Sequence, residues 1–271
     1  MESLHPSVVV GVLILAVLYA YASRLAEIQV SRGQAVAFAG ALVVILFALD
    51  GPVDELEDAR LFSAHMLQHL MLTLMMPPLL LLGTPGWMLR PLIRWRALAR
   101  SARLLTNPLI AFSIYNAVLV LIHFPSVFER MCRDDNVHIA IHLVLMAAGM
   151  LMWWPLLSPL PELPRLSYPA QLLYLFALLI PMAAVAAPIT LASGVIYPWY
   201  LEGPHPWQVS PLADQVLGGL LMWVGAGFYF IGVFTVIFFR WARYEDRDQP
   251  IVDQRSQGLQ VVTPRARLRR V

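Results

Sequence analysis

Two pairs of histidines four residues apart, His65/His69 and His138/His142, together with His123, carry the side chains in this sequence best suited to chemistry. Imidazole is the commonest metal-ligating side chain near neutral pH, and it is costly to bury in lipid without a partner. On a helix, residues four apart stand about 40° apart around the axis and one turn apart along it. Two such pairs on two helices can converge on one ion, and His123, closing an apolar stretch between them, brings a third helix to the same level. One turn further along, the first stripe meets Thr73 and then Met76, and the second meets Met146 and approaches Gly149 and Met150. Imidazole above thioether suits Cu(I), a soft ion, better than zinc. The expected metal ligands are therefore His65, His69, His123, His138 and His142, with Met76 and Met146 as accessory groups.

Plainer readings stand beside these. A single histidine at a membrane interface commonly just bonds a carbonyl or a water, and most methionines are flexible packing residues. Met66 and Met71 point away from the His65–His69 stripe and read as packing. Cys132, beside Met131, reads either as a loop cysteine or as a transient thiolate ligand. Asp214 and Gln215 open an apolar stretch, where a carboxylate suits the helix dipole; the alternative is an acceptor that fixes the tautomer of a ligating imidazole. His205, between Pro204 and Pro206, and His5 read as exposed.

The elements that must position these residues are membrane spans. Of 271 residues, 59% are hydrophobic and 13% charged, with a mean hydropathy of +0.67, which places the chain among polytopic membrane proteins. A single cysteine excludes an intrachain disulfide and every multi-cysteine metal motif. Seven apolar stretches, about 7–23, 34–50, 61–83, 107–124, 137–157, 169–190 and 213–239, are expected to cross as helices. The first is expected to be retained, although Ala20-Tyr21-Ala22 resembles a signal-peptidase site. All basic residues are arginines. They concentrate in the odd-numbered connections and after the last span, whereas Asp50, Asp54, Glu55, Glu57, Asp58, Asp134 and Asp135 lie in even-numbered ones. Positive charge marks the cytoplasmic side, so the N-terminus is expected outside, the C-terminus inside, and every histidine on the outer side. Residues 84–106 read as an interfacial amphipathic segment, and nucleic-acid binding is not needed to explain their arginines. Residues 1–244 form the expected transmembrane domain and 245–271 a basic cytoplasmic tail, expected to be disordered or in contact with anionic lipid. Pro77-Pro78, Pro181 and Pro188 are expected to bend their helices.

Longer motifs tie these features together. Phe62-Ser-Ala-His65-Met-Leu-Gln-His69-Leu runs on to Met76-Pro77-Pro78 and Gly83-Thr-Pro85. His123-Phe-Pro125, His138-x3-His142 and Trp153-Trp154-Pro155 follow, then Tyr197-Pro-Trp-Tyr200, Asp214-Gln215 and Gly218-Gly219-Leu-Leu-Met222-Trp223. Together they resemble the membrane-integral CtaG family, the caa3-type cytochrome c oxidase assembly factors. Ile141 departs from that pattern, which has a polar residue there. The resemblance implies a seven-span protein of the bacterial inner membrane that matures haem–copper oxidase. It also implies copper delivery to the buried copper centre of the catalytic subunit; ligands at the outer face would receive the ion from a periplasmic copper carrier. No acid–base pair, nucleophile motif or phosphate loop is present, so no enzyme is expected. Two rival readings are a b-type haem electron carrier, with axial ligands such as His69 and His142, and a copper permease. A third is a metal-free scaffold.

Overall fold

A chain in hydrocarbon must satisfy its backbone polar groups within itself, and the apolar stretches accordingly form helices. The computed structural model describes residues 6–25, 29–203 and 206–248, with no strand among them. His5, His205 and residues 249–271 of the expected tail lie outside the described residues. The first elements are α1 (Pro6–Leu25), α2 (Arg32–Leu49), the short α3 (Pro52–Asp58) and α4 (Phe62–Leu70). A π-helical turn (Met71–Met75) joins α4 to α5 (Met76–Gly83). Then come α6 (Gly86–Ile93), α7 (Arg96–Leu105), α8 (Pro108–Ile122), α9 (Pro125–Arg133), α10 (Asp135–Leu157) and α11 (Tyr168–Leu191). The last span is α12 (Pro211–Leu220), a second π-helical stretch (Leu221–Gly225) and α13 (Ala226–Asp248).

Among the described residues, six helical runs are long and apolar enough to cross a membrane: Pro6–Leu25, Arg32–Asp58, Phe62–Gly83, Asp135–Leu157, Tyr168–Leu191 and Pro211–Glu245. The chain is a multi-pass membrane protein. The expected span at 107–124 is realised as α8, whose 15 residues reach only roughly 22 Å, less than a hydrocarbon core of about 30 Å. It completes a seventh crossing only together with α7, from which it bends by 70°. The arginine-rich 84–106 segment folds as α6 and α7, and neither buries a residue. At the arginine end of the bundle, Arg90 bonds Glu162 at 3.0 Å, linking two odd-numbered connections. At the other end, Arg133 bonds Glu202 at 2.7 Å, linking two even-numbered ones. Successive spans therefore run antiparallel. Helix α13 continues through Asp248, into the first residues of the segment read as a tail.

Around α4 and α5 the core divides in two. The larger apolar cluster joins Phe62, Met66, Phe128, Trp153, Tyr197 and Met222 with much of α11 and α13. A smaller one joins Val44, Ile45, Leu72 and Met76, with Met146 at its edge. Helix α1 is peripheral: it buries only Val12, and Tyr19 holds it by stacking on Phe38 at 3.8 Å and donating to the Gly83 carbonyl at 2.9 Å.

The proline pair explains the π turn. Neither Pro77 nor Pro78 has an N–H, so the carbonyls four residues earlier, those of Thr73 and Leu74, lose their helical donors. The structure supplies replacements from two other helices. Trp153 Nε1 donates to the Thr73 carbonyl at 2.8 Å, and Tyr229 Oη donates to the Leu74 carbonyl at 2.5 Å. The Met76 N–H reaches back five residues to the Met71 carbonyl. Gly149 lets α10 approach this turn, since a Cβ there would meet Pro77 and Thr73 at 3.2 Å. Pro181 and Pro188, by contrast, lie inside α11, which continues as one helix through both.

Tyr229→Phe removes a donor without changing ring shape. It should destabilise the protein by about 1–3 kcal/mol, the cost of an unpaired buried carbonyl. Pro78→Ala restores a backbone N–H toward Leu74 and should recover part of that loss in the double variant. Denaturant titration of detergent-solubilised protein reads both effects; strictly additive losses would contradict this account of the π turn.

Candidate metal centre

Helix α4 carries His65 and His69, and its depth is set from outside its own sequence. Its first residues lack a side-chain cap, because Leu61 precedes them. Asp214 of α12 supplies one across 152 residues, accepting from the Phe62 N–H at 2.6 Å and the Ser63 N–H at 3.3 Å. The Ser63 hydroxyl donates to the same carboxylate. A carboxylate at a helix N-terminus is favourable in charge as well as in hydrogen bonding. One turn along α12, Gly218 makes room for the Phe62 ring, where a Cβ would lie 2.4 Å from it. Between the two histidines, Gln68 donates to the Ala48 carbonyl at 2.8 Å and to Asp54 at 3.1 Å, tying α4 to α2 and α3.

The chain reverses between α3 and α4 at Arg60, whose φ of 61° is left-handed and costs a non-glycine residue about 1–2 kcal/mol. The Arg60 guanidinium lies 3.8 Å over the Trp199 ring and 3.8 Å from Glu202, which holds the reversal in place. That turn returns Glu57 to α4, where it accepts from His65 Nδ1 at 2.9 Å. His123 is the C-cap of α8, and its Nδ1 donates to the Leu119 carbonyl at 2.7 Å. A carbonyl can only accept, so His123 carries its proton on Nδ1 and leaves the Nε2 lone pair available. The Glu57 carboxylate imposes the same tautomer on His65.

The five imidazoles meet in one place. Ring centroids of His65 stand 4.4 Å from His69, 5.3 Å from His138 and 6.1 Å from His142. His69 lies 5.2 Å from His142 and 6.2 Å from His123, and His138 lies 4.3 Å from His142. One ligand atom each from His65, His138 and His142 falls within 4.8 Å of the others. Imidazole nitrogens bind metals at about 2.0 Å, so side-chain shifts of roughly an ångström bring these three onto one ion. His65 Nε2, His123 Nε2, His142 Nε2 and both nitrogens of His69 are buried without a hydrogen-bond partner. His138 is half-buried and is the outermost ring. Phe128 seals the opposite side, 5.1 Å from His65 and 4.1 Å from Tyr197, whose hydroxyl donates to the His123 carbonyl at 2.9 Å.

The accessory residues are placed differently. Met76, beyond the π turn that follows α4, packs in the smaller apolar cluster, and Met146 of α10 packs at its edge. The thioethers beside the rings are those of Met66, Met182 and Met222, which line a cavity with His69 and His123. Met66 reads from sequence as packing, yet it stands three residues before His69 and so shares its face. Asp214 bonds the start of α4 and no imidazole. Gln215 binds the far end of α11, accepting from the Ile196 N–H at 2.7 Å and donating to the Ile189 and Gly194 carbonyls. Cys132 faces the Tyr200 hydroxyl at 3.9 Å, and burial pushes its thiol up to about 12, so it remains protonated at neutral pH. Glu57 is the residue the sequence reading missed; it was legible only as part of an acidic connection.

With this geometry in place, comparison with known proteins identifies the class. A family model described as cytochrome c oxidase caa3 assembly factor matches residues 15–244, and the chain belongs to that family. Uncharacterized proteins of Mycobacterium bovis and Mycobacterium tuberculosis are each 28% identical over 206 residues, covering 70% of this chain and 31% of their own length. One from Mycobacterium leprae is 28% identical over 234 residues, 79% of this chain and 35% of its own. The chain thus spans about a third of the length of these curated relatives. No solved structure matches it.

Two outcomes follow from the clamp and the thiol. Asp214→Ala strands the donors at the start of α4 and should cost about 1–3 kcal/mol in denaturant unfolding, with Asp214→Asn losing less. A stability equal to wild type in Asp214→Ala would remove the clamp. Maleimide labelling of Cys132 near pH 8 should be at least about tenfold slower in the folded protein than in the denatured one, where the thiol titrates near 8.5. Equal rates would show that the thiol is neither covered nor shifted.

Proposed function

We propose that this assembly factor binds copper through its histidine cluster and passes it to the catalytic subunit of a haem–copper oxidase. The observation that carries this reading is the set of Nε2 lone pairs from three helices, buried together and without hydrogen-bond partners. Glu57 and the Leu119 carbonyl occupy the opposite nitrogens of His65 and His123, an arrangement that orients imidazoles and raises their basicity as ligands. The histidine end belongs outside the cytoplasm of a bacterial inner membrane, since the arginines lie mainly at the other end. It is there that a periplasmic carrier would supply the ion. The role is one of binding and transfer, without catalysis.

A haem between His69 and His142 has less support. Their rings stand 5.2 Å apart with His65 and His138 crowded beside them, and the adjoining cavity measures only about 10 Å³. Ligand sites for molecules of drug or cofactor size occupy about 300 Å³ or more. A permease would need a polar path onward, and most residues lining the cavity away from the rings are apolar.

Elemental analysis of detergent-purified protein tests the reading. Wild type should retain copper after desalting. His69→Ala and His142→Ala should each lower the affinity of the cluster by at least about tenfold, while His205→Ala leaves it unchanged. Equal copper in all three variants would sink the site. In cells, changing all five clustered histidines to alanine should abolish oxidase maturation; intact maturation would favour a metal-free scaffold.

A further inference from the structure

The cluster is not one uniform ligand set. His65, His138 and His142 form an all-nitrogen group around the half-buried His138. Deeper in the bundle, His69 and His123 face each other at 6.2 Å and line a cavity of about 10 Å³, room for one water-sized occupant. Met66, Met182 and Met222 line the same cavity. Both nitrogens of His69 and Nε2 of His123 are buried there with no hydrogen-bond partner.

We propose that the chain holds two copper sites in series, an outer three-imidazole site and an inner site made by His69, His123 and thioethers. The proposal rests on the copper reading above and deepens it. Ligand chemistry separates the two sites. Three imidazoles, one backed by the Glu57 carboxylate, accept copper in either oxidation state, whereas thioethers select Cu(I). Burial separates them in the same sense. The cost of taking an ion out of water grows with the square of its charge, so a deep site of neutral ligands holds a monovalent ion far more readily than a divalent one.

His69 links the sites. Its ring is 4.4 Å from His65 and 5.2 Å from His142 on one side, and 6.2 Å from His123 on the other. A Cu(I) ion moves inward by ligand exchange: one copper–nitrogen bond to His65 or His142 breaks as one to His69 forms. The ion is then taken up by His123 and a thioether. No electron is transferred, and the oxidation state is unchanged throughout.

Anaerobic titration of the full-length, detergent-solubilised protein with Cu(I), in competition with bicinchoninate, tests this arrangement. Wild type should bind two ions in two affinity phases. His138→Ala should lose the outer phase and keep the inner one. Met182→Leu combined with Met222→Leu conserves side-chain volume, so the fold should persist. It should weaken the inner phase by about tenfold and leave the outer one intact. A single ion, weakened equally in both variants, would overturn the two-site arrangement while leaving the copper reading standing. No bound ion in wild type would overturn both.

Discussion

Imidazole nitrogens withdrawn from water must find partners, and this requirement governs the histidine end of the bundle. Each unsatisfied buried polar group costs about 1–3 kcal/mol, and here the Nε2 atoms of His65, His69, His123 and His142 and the Nδ1 of His69 share that condition within one small volume. Hydrophobic packing alone has no reason to gather them. One soft cation would satisfy several lone pairs at once and convert a local cost into a binding free energy. The hydrogen bonds to Glu57 and to the Leu119 carbonyl leave two of those lone pairs facing inward.

The scaffold around the cluster is built to keep α4 still. Its N-terminus is capped from α12, its middle is tied by Gln68 to α2 and α3, and its C-terminus passes into a π turn anchored by Trp153 and Tyr229. A helix fixed at three levels cannot slide or rotate to bring its histidines to lipid. On the opposite side, Arg133 bonds Glu129 and Glu202 and lies 4.9 Å over the Trp199 ring. These contacts fasten α9 and the segment after α11, so that Phe128 stays over the rings. Only at His138 does the cluster reach toward the surface, which gives an ion one direction of approach.

Much of this was legible in the sequence. Hydropathy located the apolar helices, although α8 alone is too short for the span expected at 107–124; the hydrocarbon requirement acts on long windows and is insensitive to detail. The i,i+4 spacing of His65/His69 and His138/His142 placed four rings on two facing stripes, and the end of α8 brought the fifth. What was not legible depends on events that local periodicity cannot carry. A π turn changes the face on which Met76 lies, and the thioethers that line the cavity with His69 and His123 come from Met66, Met182 and Met222. The reversal at Arg60 returns Glu57 to His65, although an acidic connection eight residues upstream gives no sign of it. The Asp214 cap joins residues 152 apart in sequence, and nothing local distinguishes it from an ordinary first-turn acid.

The central claim is that imidazoles from α4, α8 and α10 hold copper directly. X-ray absorption at the copper edge, on purified protein loaded with Cu(I) and freed of unbound metal, tests it most directly. Nitrogen scatterers at about 2.0 Å with the outer-shell pattern of imidazole rings are the expected result. Copper that washes away, or a first shell without that imidazole pattern, would contradict it.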